Sequence, residues 1–566
     1  MIKASKRFIL GMVMMASVPL ATFAQLDTDA KIQAPAKVAP HDWHQLDRSE
    51  TGYYGISLNK AYDLLKGKKS KTVVVAVIDS GIDTLQEDLK PVLWKNPGEI
   101  PGNGIDDDHN GYVDDVFGWN FIGGKDGRNV KQDSYEAARV YWKLKDKFGD
   151  NIPDTNTLKG DEKNEAITFL KAKEKVLGGI DPTEMLMMQR ILPVLERGDS
   201  IIAKDLGKTE FDGNDLKAYN PTQRDATVAR MLYLDLSKAN DNYEISNQDI
   251  LGYYRGQVRK AEAANTPPQD FRGEIVQDNY NDINDRYYGN NDVMTGTPTH
   301  GTHCSGIIGA ARNNGKGMNG IADNVKIMMV RAVPDGDEHD KDIANAIRYA
   351  VDNGAQVISM SFGKDFSPQK NWVDDAVKYA QSKDVLLVHA AGNDAKNIDT
   401  ADNFPNPVFL SNQGRAKNFI TVGASGDATN GGFTARFSNY GKSEVDVFAP
   451  GVNIYSTLPG GDKYGSLSGT SMAAPVVAGL GALILSYYPN LSAEQIKYVI
   501  EKSVSPEKEK VKLPGTEELV NLSDISKTGG EINAYNAIKL AATLKGERNT
   551  TKEILPKSKV QRKKRA

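Results

Sequence analysis

The sequence predicts an α/β protein of three layers, a central parallel sheet flanked by helices, interrupted by a mostly helical insertion. Three observations predict it. Five short β-branched apolar runs, 72–79, 325–330, 356–361, 385–391 and 418–423, have the unbroken apolarity of strands covered on both faces. Helix-like segments at 341–353 and 371–382 separate some of these runs, and strands alternating with helices make a parallel sheet. Residues 131–290 change texture, with dense charge and helical spacing such as that of 161–176. The 566 residues therefore divide into a core from 51–130 and 291–545 and an insertion at 131–290.

Composition narrows the function classes. Hydrophobic residues at 39% and charged residues at 25% are globular values. A net charge of −4 argues against a nucleic-acid partner, which calls for a basic chain. The single cysteine, Cys304, excludes an intramolecular disulfide framework and any multi-cysteine metal site.

The elements follow in chain order. Lys3, Lys6 and Arg7 precede the apolar run 8–23, and Thr22 and Ala24 are small residues before a cut at Gln25. Residues 1–24 thus read as a signal peptide, too short and Pro19-interrupted for a membrane span. The expectation is export to the periplasm or the extracellular space, with no transmembrane segment in the mature chain. Residues 25–50 form an N-terminal arm. The first strand ends at Asp79-Ser80-Gly81-Ile82-Asp83. In such sheets chemistry gathers at the carboxyl ends of strands, which marks Asp79, Ser361 and Asn393.

In the loop 106–115, Asp106, Asp108, Asn110, the Tyr112 carbonyl and Asp114 alternate as oxygen ligands do in an EF-hand loop, with Gly111 at the turn. That spacing suits structural Ca²⁺, although Phe117 stands where a bidentate glutamate belongs, so that Asp115 or a distant residue must complete the shell. An acidic turn held by its own hydrogen bonds is the alternative. After the insertion, His300-Gly301-Thr302-His303 opens a small-residue helix through Cys304, Ser305 and Gly306. Gly469-Thr470-Ser471-Met472-Ala473-Ala474-Pro475 opens an apolar helix through Leu485. The tail 546–566 is basic and expected to be unfolded.

A serine hydroxyl becomes a nucleophile when a base takes its proton. Imidazole is such a base, and a buried carboxylate holds its tautomer. Asp79, His300 and Ser471 supply those three groups in three separate motifs, each of which alone also reads as a turn, a packing helix or a helix cap.

Together the motifs resemble the subtilisin-like serine proteases, the subtilase family, whose known chain order is Asp, His, Ser. Ser361-Phe362-Gly363, Ala390-Ala391-Gly392-Asn393 and the segment 437–489 are similar to the family as well. The resemblance implies a serine endopeptidase acting on proteins or peptides through an acyl-enzyme. It implies Asp79 as the orienting acid, His300 as general base and acid, and Ser471 as nucleophile. Asn393 becomes the oxyanion donor with the Ser471 N–H, and Ser361, Phe362, Gly363, Ala391 and Gly392 the substrate-binding segments. His303 is then structural, and Cys304 packs as a small hydrophobe. The resemblance also suggests a second calcium site at Asp88 and Asn314, with the 313–315 loop shifted by one residue. No G-x-S-x-G elbow favours the α/β-hydrolase alternative.

Two departures stand out. Only residues 25–50 separate the signal cut from the catalytic region, so the inhibitory pro-domain of many relatives is not expected. The 131–290 insertion lies between the aspartate and histidine motifs, where it is expected to restrict substrate access or dock a partner.

Overall fold

The computed structural model describes residues 39–548, apart from 150–153, 179–181, 209, 240–242, 244, 297 and 427–431. The signal peptide, most of the arm and the basic tail lie outside the described residues. After helix α1 (Leu58–Leu65), strand β1 (Val73–Asp79) enters the middle of the sheet. Its alternation decides the layers. Val73, Val75 and Val77 point into one apolar cluster, and Ala76 and Ile78 into the other. Strand β2 (Gly118–Asn120) follows the acidic loop.

The insertion supplies α2 (Glu136–Phe148) and α3 (Gly160–Leu177), a pair closed by Tyr141, Phe148 and Phe169. Helices α4 (Pro182–Leu206), α5 (Arg224–Ala239) and α6 (Asn247–Glu262) bundle around Leu195, Ile202, Phe211, Tyr233 and Leu251. The mostly helical character read from the sequence is therefore found. The segment after the bundle is different in kind. Val276 and Tyr288 join the sheet's own apolar cluster, and Arg272 is buried between Asp278 and Asp342.

Helix α7 (Thr299–Gly309) leads to β3 (Val325–Arg331), α8 (Asp340–Asp352), β4 (Val357–Met360), α9 (Lys370–Ser382), β5 (Leu386–Ala390), β6 (Phe419–Ser425) and β7 (Val447–Pro450). The strands lie in the order β7-β6-β5-β4-β1-β3-β2, all parallel. Two-residue strands at Gly530–Glu531 and Ser505–Pro506 extend the β7 edge, the last pair antiparallel. A hairpin, β8 (Ile454–Leu458) with β9 (Lys463–Leu467), delivers the chain to α10 (Thr470–Tyr487), followed by α11 (Ala493–Lys502) and α12 (Ala534–Ala541).

Helices α1, α7, α10, α11 and α12 contribute to the cluster on one face, and α8 and α9 to that on the other, which is the predicted three-layer fold. Among the described residues α10 alone is long and apolar enough to cross a membrane, yet 89% of it is buried inside the fold. It is the core helix of this face, where each large-to-small change in a buried aliphatic costs about 2–5 kcal/mol. Register aligns the site. Ile78 pairs with Met360 and Met360 with His389, so the carboxyl ends of β1, β4 and β5 come out side by side.

Candidate active site

Asp79 ends β1 and is 2% exposed. One of its oxygens, Oδ1, accepts from the Ser80 N–H at 2.7 Å and lies 2.8 Å from His300 Nδ1. That contact fixes the imidazole tautomer, with the proton on Nδ1 and Nε2 left to act as base when the ring is neutral. His300 sits in the first turn of α7, and its side chain remains 38% exposed towards the cleft. The close approach depends on Gly301, where a β-carbon would collide with the Gly81 carbonyl and crowd Asp79. Burial opposes the imidazolium, but the Asp79 charge and hydrogen bond outweigh it and hold the His300 pKa well above its ordinary value.

Ser471 occupies the first turn of α10, where backbone N–H groups are free of intrahelical partners. Its hydroxyl donates to the Ser361 carbonyl at 3.2 Å, while the Ser361 hydroxyl donates to the Ser471 carbonyl at 2.9 Å. Cys304, fully buried, donates its thiol to that same carbonyl at 3.3 Å and lies 3.9 Å from His300 Nδ1. Burial pushes its pKa up, so the thiol packs beneath the histidine and stays protonated. His303 is also buried, with Nε2 3.1 Å from the Gly465 carbonyl. Burial lowers its pKa to about 3, which leaves a neutral structural ring.

Asn393 Oδ1 accepts from the Thr470 N–H at 2.8 Å and the Thr470 hydroxyl at 2.9 Å, which leaves Nδ2 as the end of the amide free to donate beside Ser471. Thr470 also accepts the Gly392 N–H at 3.0 Å. Gly392 has φ +97°, and a β-carbon there would strike Asn439. Ala391 is buried, with its carbonyl accepting from Asn439 at 2.8 Å. The Phe362 carbonyl is bound by His389 at 2.7 Å, and Gly363 lies against the Phe404 carbonyl. Thr470, His389 and Asn439 were missed in the sequence. Thr470 had a signal, its place inside the Gly469–Pro475 motif; the other two act through partners far along the chain.

The acidic loop differs from its expected form. Asp106 and Asp108 converge with Glu99, one ligand oxygen from each lying within 4.8 Å of the others. Asn110 donates to Asp108 at 3.2 Å and to Asp115 at 3.1 Å, and its own oxygen accepts the Tyr112 N–H at 2.8 Å. Asp114 leaves the predicted set. Its left-handed backbone, φ 53°, turns both carboxylate oxygens onto the Gly102 and Gly104 N–H groups at 2.8 and 2.7 Å. Glu99 is 8% exposed, and among the described residues its Oε2 has no hydrogen-bond partner. Burial and its acidic neighbours raise the pKa values of Glu99 and Asp108. An orphaned buried oxygen beside two further carboxylates fits a hard cation such as Ca²⁺.

The suggested second calcium site has its two residues, Asp88 and Asn314, in direct contact. Asn314 donates to Asp88 at 2.6 Å, the Tyr464 hydroxyl donates to its other oxygen at 2.9 Å, and Lys316 pairs with Glu87.

Known proteins resemble this chain in sequence. A thermophilic serine proteinase from Bacillus sp. (strain AK1) is 39% identical over 42% of this chain and 52% of its own length. Thermitase from Thermoactinomyces vulgaris is 37% identical over 46% of this chain and 85% of its own. Thus the chain spans about half the length of the first of these relatives and most of the second. A solved protease from Pseudoalteromonas arctica PAMC 21717 aligns over 44% of this chain and 73% of its own at 31% identity, with a TM-score of 0.35. The sequence pattern of the subtilase family matches residues 70–518, and the chain belongs to that family.

Proposed function

We propose that this protein is an exported serine endopeptidase that hydrolyses protein or peptide substrates through an acyl-enzyme on Ser471. The observation that carries the reading is the Asp79–His300 contact, 2.8 Å long, at the carboxyl end of β1, beside the β4 end where the Ser361 carbonyl accepts from the Ser471 hydroxyl. With substrate in the cleft, His300 Nε2 takes the Ser471 proton as the hydroxyl leaves the Ser361 carbonyl for the scissile carbon. Asp79 stabilises the imidazolium that forms. The developing oxyanion is met by Asn393 Nδ2 and the Ser471 N–H, donors whose orientation is set before reaction by Thr470. His300 then returns the proton to the leaving amine, and water repeats the sequence in reverse.

Export rests on residues 1–24, and the insertion is read as a wall that limits access to the cleft. A calcium ion held by Glu99, Asp106 and Asp108 supplies charge neutralisation to the 96–115 loop and takes no part in the reaction. Replacing Ser471→Ala should abolish peptide-bond cleavage, measured on casein and on short peptides, while circular dichroism and melting temperature stay those of the parent. Cleavage at the parental rate by the folded variant overturns the assignment.

A further inference from the structure

The insertion walls a groove whose far side is formed by residues that follow Ser361 and Asn393 in the chain. The groove has a volume of about 620 Å³, with Gly363, Asp365 and Asp394 on the sheet side and Tyr135, Lys175 and Lys260 on the insertion side. Gly363 is two residues beyond Ser361, whose carbonyl holds the Ser471 hydroxyl, and Asp394 directly follows Asn393. The last turns of helix α6 line the groove and carry Lys260, and its first turn carries Asp249 within electrostatic reach of His300. Two ion pairs fix α3 to the sheet side, Lys175 to Asp365 and Lys171 to Asp402, both at 2.5 Å.

The charges of this groove are largely matched. Asp365 is held by Lys175 and Lys396, and Asp394 by Lys396 at 3.2 Å. Arg259 pairs with Asp335 at 2.9 Å, and the buried Lys364 with Glu136 and Asp340. Lys260 is the exception among the cations. Among the described residues it has no carboxylate partner, and its ammonium lies 4.3 Å from the centre of the Tyr135 ring. Two acids of the lining also stand outside these ion pairs: Glu262, turned about 200° around the helix from Lys260, and Asp337, which accepts the Glu136 N–H at 2.8 Å and acts on Lys260 through space, as do Asp365 and Asp394.

We propose that the groove extends the substrate cleft and that Lys260 selects substrates with an acidic side chain near the scissile bond. This rests on the peptidase reading above. A substrate carboxylate reaching Lys260 gains a charge-assisted hydrogen bond without displacing an existing ion pair, whereas a basic side chain meets a like charge. The Tyr135 ring steers the ammonium while leaving its donors available.

The test is kcat/KM of the full chain on matched peptides that carry Glu, Gln or Lys at each of the four positions on either side of one cleaved bond. The parent should prefer Glu over Gln by about tenfold at one of these positions, the size of one charge-assisted hydrogen bond. Lys260→Arg should keep that ratio, Lys260→Gln should bring it to about one, and Lys260→Glu should turn the preference to Lys. Equal kcat/KM for Glu and Gln peptides throughout, or a ratio unchanged in Lys260→Gln, overturns this inference alone. No Ser471-dependent cleavage of any peptide overturns both this and the peptidase reading.

Discussion

Asp79 uses its two oxygens unequally, and this shapes the chemistry of His300. Oδ1 accepts from Ser80 and His300, while Oδ2, also buried, has no hydrogen-bond partner among the described residues. A carboxylate so thinly solvated favours the imidazolium beside it strongly, which is why His300 titrates above the ordinary 6.5 despite its burial. The base works only when neutral, so the acidic limb of kcat/KM should lie above pH 6.5 in the parent; a pH–rate profile checks it, and a limb below 6.5 contradicts it. Stability runs the other way. The stabilisation from the charged pair is fully present below pH 6.5 and is lost as pH rises through the raised folded pKa, the window in which activity appears. Asp79, His300 and Ser471 could be singled out because each sits in a short local motif and the three motifs together resemble the subtilase order. Asn439, by contrast, holds the Asp394 and Lys396 N–H groups from more than forty residues away, a role set by the fold and not by its neighbours in sequence.

At the scale of elements, burial decided what could be read. Strands β1, β3, β4, β5 and β6 are apolar on both faces and lie within a residue or two of their expected ends. Strand β2 is three residues long, and β9 has an exposed start and an interior glycine, so neither carries the pattern of a buried strand. The acidic loop shows the same limit. Its spacing indicated a hard cation but not which carboxylate turns away, since Asp114 is diverted by the Gly102 and Gly104 backbone and Glu99 arrives from a turn before the motif. Calcium at about 100 times its Kd should stabilise the fold by about 2.7 kcal/mol, raising the melting temperature by several degrees. Glu99→Gln should remove most of that gain, whereas Asp114→Asn should retain it, measured by thermal unfolding with calcium and with chelator. Equal melting temperatures in the two conditions for the parent contradict the site.

On the scale of the whole molecule, the insertion is built into the catalytic body. Arg272, 2% exposed, is clamped by Asp278 and Asp342, and Lys341 adds a second bond to Asp278. Removing one partner from such a buried network strands its neighbours' charges, at about 3–5 kcal/mol. Residues 271–290 therefore belong energetically to the sheet, although charge density groups them with 131–270. The α2–α3 pair is tied in as well, since Phe366 of the body shares its apolar cluster. Sequence texture separates segments by composition, and packing joins them by contact, so the insertion's helices were legible while the Arg272 and Phe366 contacts that tie it to the sheet were not.

In the proposed mechanism Asp79 and His300 make Ser471 nucleophilic. The direct measurement is mass spectrometry of the protein after reaction with a fluorophosphonate. A single adduct should form on the peptide carrying Ser471, rising in rate with pH as His300 loses its proton. An unmodified chain, or an adduct on any other residue, contradicts the account.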